Sequence, residues 1–314
     1  MRVRKMRIIF DRENQPKAQP DPYIISDHGE YYIYATGEDG VHAYRSDKID
    51  GEWEYLGVIL QTEGERDFWA PCVYVQDGTY YMYYSSVKNT SLSAHDEQIK
   101  VAVASNPKGP FKYVKTLLEP FSIDPHVVKS GNGLYIFYST NDWNAERAGT
   151  YIVVQKMRTP LETEGEPKAA VRPTLDEEIF MRDRFEKGKH WHTIEGAFYF
   201  REGNYHYLIY SGNCYQSKYY YLGYAVGYGA ENDLMKIDFK KYPSDVVYMP
   251  LIAANEFESG TGHNSVIKVN GEYYCVYHGR DGEENTPYDN RSARACKLIV
   301  KDGVITALRK KDSL

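Results

Sequence analysis

Along this chain, short runs of alternating apolar and polar residues come in pairs, and a glycine turn divides each pair. The first pair is Asp21-Pro-Tyr-Ile-Ile-Ser-Asp-His-Gly-Glu-Tyr-Tyr-Ile-Tyr34. The phrase returns from Ala70-Pro-Cys with an Asp77-Gly78 turn, and from Asp124-Pro-His with a Gly131-Asn-Gly133 turn. It returns again from Glu195-Gly-Ala with Gly203-Asn204, and from Gly262-His-Asn with Asn270-Gly271. Period-two alternation around such turns predicts β-hairpins, because these turn residues accept the backbone twist of paired strands. A third strand is predicted after each hairpin, at 41–46, 99–105, 150–157, 220–227 and 293–300. Weaker edge segments follow at 53–60 and 111–116, and no stretch keeps a helical period of convincing length. Five sheets of three or four strands, starting near 21, 70, 124, 195 and 262, predict one all-β domain, a five-bladed β-propeller. A two-sheet sandwich also strings hairpins together, but it does not require every repeat to open on the same two-residue signature.

Composition sharpens this picture. The 314 residues alone would suggest two domains, and the repeats override that prior. Tyrosine outnumbers phenylalanine 31 to 11, which suits half-buried strands where a ring packs and its hydroxyl finds a partner. Lysine and arginine number 38 against 44 acidic residues, a net charge of −6 with no basic stripe. That argues against nucleic acid or an anionic membrane as partner. The basic start at 1–10 reaches Asp11 after three apolar residues, short of a secretion signal, and no apolar run reaches membrane-spanning length. A cytoplasmic location is therefore expected. The four cysteines, Cys72, Cys214, Cys275 and Cys296, form no C-x-x-C pair and sit in apolar or aromatic stretches, so reduced, buried thiols are expected.

In a propeller the first strand of each blade lines the central channel, so equivalent repeat positions converge at one mouth. Aligning the repeats puts Asp21, Ala70, Asp124, Glu195 and Gly262, with His263 beside it, around one ring. A single Asp-Pro is an ordinary turn starter. Three acids at one ring position would repel one another, and their convergence points to chemistry. Paired carboxylates are what glycosidic cleavage needs, one protonating the leaving oxygen and the other activating water or attacking. A third acid can raise the pKa of its neighbour. Glu195 follows Trp191-His-Thr-Ile194, surroundings that favour a protonated acid, so it is the candidate general acid and Asp21 the general base.

These motifs together resemble glycoside hydrolase family 43. Its three acidic motifs match Asp21-Pro-Tyr-Ile24, Ile123-Asp-Pro125 and Ile194-Glu-Gly196. Its W-A-P segment matches Phe68-Trp-Ala-Pro71, and its G-x-G-H-N-S phrase matches 260–265. The resemblance implies a five-bladed propeller that inverts configuration, with Asp21 as base, Asp124 as modulator and Glu195 as acid. It implies a partner that is a pentose-containing oligosaccharide, and no required cofactor. Trp69, with Ala70 beside it, would wall the channel mouth, and Arg291 would bind a substrate hydroxyl, with Arg280 and Arg294 as rivals. His263 resembles a family histidine near the axis, beside either a calcium ion or a water cluster. Trp143, in the loop 141–145, is a candidate for a further sugar subsite. The charged segment 176–189 breaks the repeat spacing and reads as a solvated loop, with a lid or a homo-oligomer contact as alternatives. Two departures stand out: Cys72 replaces an acid after W-A-P, with loss of a structural hydrogen bond expected, and 227–236 replaces a turn after the fourth blade. The expected activity is release of terminal α-L-arabinofuranose from short α-1,5-linked arabino-oligosaccharides. An exo-β-1,4-xylosidase is the rival, and a non-catalytic sugar-binding propeller is the alternative of a different class.

Overall fold

The computed structural model describes residues 7–9, 13–282 and 290–309, so most of the basic start at 1–10 lies outside the described residues. Four strands form the first blade: β1 (Tyr23–Asp27), β2 (Glu30–Ala35), β3 (Val41–Ser46) and β4 (Glu54–Leu60). The second holds β5 (Glu65–Gln76), β6 (Thr79–Lys88), β7 (Gln98–Ala104) and β8 (Lys112–Thr116). The third holds β9 (Ile123–Ser130), β10 (Gly133–Asp142), β11 (Gly149–Thr159) and β12 (Glu162–Val171). After β13 (Ile179–Glu186), the fourth is built of β14 (Lys189–Glu202), β15 (Tyr205–Gly212), β16 (Tyr221–Tyr228) and β17 (Lys240–Lys241). The fifth holds β18 (Glu258–Val269), β19 (Glu272–Asp281), β20 (Ser292–Lys301) and β21 (Val304–Leu308). Helical structure among the described residues is confined to 3₁₀ turns at Ala94–Asp96, Asp176–Glu178 and Leu234–Lys236.

The core is divided among the blade interfaces. Side chains alternate across a strand, so a blade packed on both sides must be apolar on both faces. In β2, Tyr32 and Tyr34 pack toward the second blade, while Ile33 and Ala35 pack with Val276 and Ala293 of the fifth. Further clusters join Tyr83 with Ile136, Phe137 with Leu208, and Ile209 with Cys275. Five apolar clusters thus occupy five successive interfaces, and the last closes the ring. Polar ties reinforce that closure: Ser265 Oγ accepts the Ile24 amide at 3.0 Å and donates to the Pro22 carbonyl at 2.9 Å.

The tyrosine excess also has an interface role. Tyr34 donates to the Pro107 carbonyl, Tyr83 to the Pro160 carbonyl and Tyr135 to Asp233, each on the following blade. Tyr207 accepts the Gly303 amide of the fifth blade at 3.0 Å. Phenylalanine could fill these positions but could not make these bonds.

Segment 176–189 differs from the expected solvated loop. It forms a 3₁₀ turn and a hairpin of β13 with the start of β14, paired at Ile179–His192, Met181–Trp191 and Glu186–Lys189. The buried ion pair of Glu178 with Lys241, at 2.5 Å, pins its base. Parallel pairing of Gly149 with His192 and Thr150 with Thr193 stitches the third and fourth blades together. Gly149 permits that approach, since a Cβ there would lie 2.0 Å from the His192 carbonyl oxygen. Edge strands β12, β17 and β21 were not foreseen: β12 is charged and interrupted by glycine and proline, β17 has two residues, and β21 has five.

Candidate active site

At or just before the channel end of each blade's first strand the backbone is irregular, and one equivalent position in every blade adopts positive φ. These residues are Asp21 (53°), Ala70 (47°), Asp124 (57°), Gly196 (64°) and His263 (46°). The ladder shifts register between Glu195 and Phe198, for instance, as β-bulges beside active sites do. This corrects the repeat alignment. Gly196, not Glu195, is the backbone equivalent of Asp21, and His263 holds the fifth position rather than Gly262. Non-glycine residues in this region cost about 1 kcal/mol or more each. The neighbouring blades hold them there: Ala70 donates to Thr36 Oγ1 (2.8 Å), Gly196 to Asp124 Oδ2 (2.9 Å) and His263 to Ser211 Oγ (2.8 Å). The Asp21 amide nitrogen lies 3.1 Å from His278 Nδ1.

Asp21, Asp124 and Glu195 meet at the bottom of one cavity of about 660 Å³. Asp21 Oδ2 accepts a 2.6 Å bond from Thr36, and Oδ1 lies 3.2 Å from Arg291 Nη1, 3.2 Å from His278 and 3.5 Å from His263. Burial pushes the Asp21 carboxyl up, but Arg291, with the two imidazoles, outweighs it and holds the pKa far below the usual range. Glu195 is the opposite case. Its pKa is raised to about 7: burial raises it most and the Asp21 charge adds to that, outweighing the 2.8 Å bond from the Tyr220 hydroxyl and the charge of Arg291, which pull it down. Burial, then Glu195 and Asp21, likewise raise Asp124, so Asp124 and Glu195 titrate as a pair rather than singly. His278 is pushed down to about 3 by burial, against the pull of Asp21, and is neutral.

Trp69, His263 and Arg291 line the same cavity. Ala70 does not: it is buried, and its contribution is the backbone bond to Thr36. Trp143 stands at the rim rather than on the cavity wall, 53% exposed and 4.5 Å from the Trp191 ring. Of the rival arginines, Arg294 is fully buried in a pair with Glu258, whereas Arg280 reaches the cavity and donates to the Tyr215 carbonyl. Cys72 keeps a polar contact instead of losing one, because its Sγ accepts the Val127 amide at 3.3 Å. Cys72, Cys275 and Cys296 are buried and free, but Cys214 is half-buried in the loop after β15. Thr36, Tyr220 and His278 escaped the sequence reading. Thr36 and His278 could have been found, since both stand at or near the end of the second strand of their hairpins, as Ser211 does in the fourth.

Calcium takes about six to eight oxygen ligands. Near His263 the carboxylate of Asp21 is already engaged by Arg291 and Thr36, and no cluster of three acid, histidine or cysteine ligands exists among the described residues. The residues do not fit a protein-built calcium cage.

With this geometry established, comparison with known proteins is informative. The family model "Glycosyl hydrolases family 43" matches residues 15–305. A xylosidase/arabinosidase of Bacteroides ovatus is 25% identical over 344 residues, covering 93% of this chain and 95% of that protein. A probable arabinan endo-1,5-alpha-L-arabinosidase C of Aspergillus fumigatus is 27% identical over 207 residues, 62% of this chain and only 57% of that relative's length. The crystal structure of a thermostable family-43 glycoside hydrolase superposes with a TM-score of 0.78 at 28% identity, covering 92% of each chain. An α-L-arabinofuranosidase from Lactobacillus brevis shares the fold at 19% identity with a TM-score of 0.75, over 92% of this chain and 93% of its own. The chain belongs to glycosyl hydrolase family 43.

Proposed function

We propose that this glycosidase releases terminal α-L-arabinofuranose from short α-1,5-linked arabino-oligosaccharides, with inversion at the anomeric carbon. The observation that carries the reading is a pair of carboxyls in one cavity whose surroundings drive their pKa values apart, Asp21 far down and Glu195 up to about 7. In the proposed step, ionised Asp21 takes a proton from a water molecule as its oxygen bonds to the anomeric carbon. Glu195 gives its proton to the departing glycosidic oxygen as that bond breaks. Asp21 then holds the proton and Glu195 is ionised, and exchange with solvent resets both. Asp124 titrates together with Glu195 and holds the Gly196 amide, which fixes the backbone carrying the acid. Arg291 orients Asp21 and offers donors to a sugar hydroxyl.

The arabinoside preference draws on the relatives named for arabinan cleavage, and the Bacteroides ovatus relative named for both activities keeps an exo-β-1,4-xylosidase as a second reading. We also propose a cytoplasmic location, where only short oligosaccharides would reach the enzyme; cell fractionation tests it. The product profile on arabino- and xylo-oligosaccharides tests the activity. Stepwise release of arabinose alone supports the reading, xylose alone moves it to the xylosidase, and internal cleavage overturns exo action.

A further inference from the structure

The catalytic cavity has a second polar locus, built by the β13–β14 hairpin and the 3₁₀ turn at Ala94–Asp96. Both Arg184 and His95 line the cavity there. The Arg184 guanidinium lies 4.9 to 5.3 Å from the ring centres of Phe180, Phe185 and Trp191, which hold it by cation–π contact. It makes no ion pair with any carboxylate among the described residues. Its Nη2 donates a hydrogen bond to His95 Nε2 at 3.4 Å.

A guanidinium has no acceptor, so in this contact Arg184 Nη2 donates and His95 Nε2 accepts. The neutral ring then carries its proton on Nδ1, where the side-chain amide of Asn141 lies 2.9 Å away and itself meets Thr150 Oγ1 at 3.0 Å. Burial and then Arg184 favour that neutral ring, against the pull of Asp96. The bond to a neutral imidazole leaves the Arg184 charge without a counter-ion among the described residues, and an anionic oxygen in the cavity would supply one.

We propose that Arg184, positioned by His95 and the aromatic side chains around it, forms a carboxylate subsite for the leaving-group side of the substrate, so that the enzyme favours pentosides whose departing chain bears a uronic acid. The orientation rests on the proposed exo action. Asp21 and Asp124, at 9% and 6% exposure, mark the cavity floor where a terminal sugar would react, while neighbouring Phe185 and Trp143, at 57% and 53%, mark the rim. The departing chain would pass this rim. A carboxylate is the acid group that sugar chains themselves carry, and the aromatic wall suits stacking against a ring.

The test compares an acidic pentosyl oligosaccharide, uronic acid next to the scissile bond, with its methyl ester, which keeps the size and removes the charge. Binding of each to the Asp21→Asn variant is measured by calorimetry, in Arg184, Arg184→Lys and Arg184→Gln backgrounds. A charge-assisted pair predicts about tenfold or more tighter binding of the acid, a preference reduced by Lys, abolished by Gln and weakened by salt. Equal binding of acid and ester, or a preference that survives Arg184→Gln, overturns the subsite. Turnover of neutral arabino-oligosaccharide by the unmodified enzyme is followed separately: its absence would overturn the proposed function, while the binding ratio alone still decides whether the subsite exists.

Discussion

Asp21 and Glu195 are both carboxylic acids, and their surroundings alone give them different tasks. Arg291 keeps one ionised, and burial keeps the other protonated near neutrality. On the pH profile of kcat/KM, activity should fall as pH rises through about 7, where Glu195 loses its proton. No acidic limb is expected near pH 4, the ordinary carboxylate range, because Asp21 stays ionised below it. Asp124→Asn removes one member of the coupled pair, so the like-charge repulsion that opposes full ionisation of the pair is lost, and the alkaline limb should move to lower pH while turnover drops. An unmoved limb with near-full activity would reduce Asp124 to a turn residue. The two roles also separate by leaving group. Glu195→Ala should lose about 10²–10⁴-fold on oligosaccharides yet far less on dinitrophenyl glycosides, which depart without protonation. Asp21→Asn should fail on both, and the reverse pattern would exchange the roles. All three acids were legible in the sequence, but their register was not. Polar identity aligned Glu195 with Asp21, whereas the backbone repeat runs through the positive-φ residues, and Ala70 in that set carries no polar signal at all.

At the scale of elements, the hairpins were legible because period two and turn residues are local properties. The β13 hairpin was not, because its charged strand alternates weakly and is held by Glu178 and by pairing with a strand end that itself looked like lead-in sequence. The same limit hid Tyr220, which reaches Glu195 from the start of the third strand across the blade. Gly262 is the element-scale test of that support. A Cβ at this position would lie 1.9 Å from Tyr220 Cε1, and that ring is almost fully buried and stacked on His278. Gly262→Ala should therefore displace Tyr220, costing about 1–3 kcal/mol of stability by overpacking. Thermal unfolding and kcat should fall together; unchanged melting would show that Tyr220 is not displaced, and lowered melting with unchanged turnover would show that the Tyr220–Glu195 bond is dispensable.

For the whole molecule, five interfacial clusters explain why the chain can spread its acids over blades one, three and four and still bring them to one cavity floor. The repeat count made that architecture legible before any contact was known. His263, contributed by the fifth blade, acts on Asp21 across the ring closure. His263→Ala should lower kcat/KM by about tenfold, the scale of one hydrogen bond near 1.4 kcal/mol. Chelator treatment should cost less than that, and complete inactivation that calcium reverses would contradict this weighting. The central claim is that Asp21 works through a water molecule instead of attacking the sugar, which requires a carboxyl separation of about 6.5–9.5 Å from Glu195. Proton NMR of the first-formed sugar, recorded before mutarotation, tests it most directly. Release of the inverted anomer is the predicted result, and early accumulation of the retained anomer would contradict it.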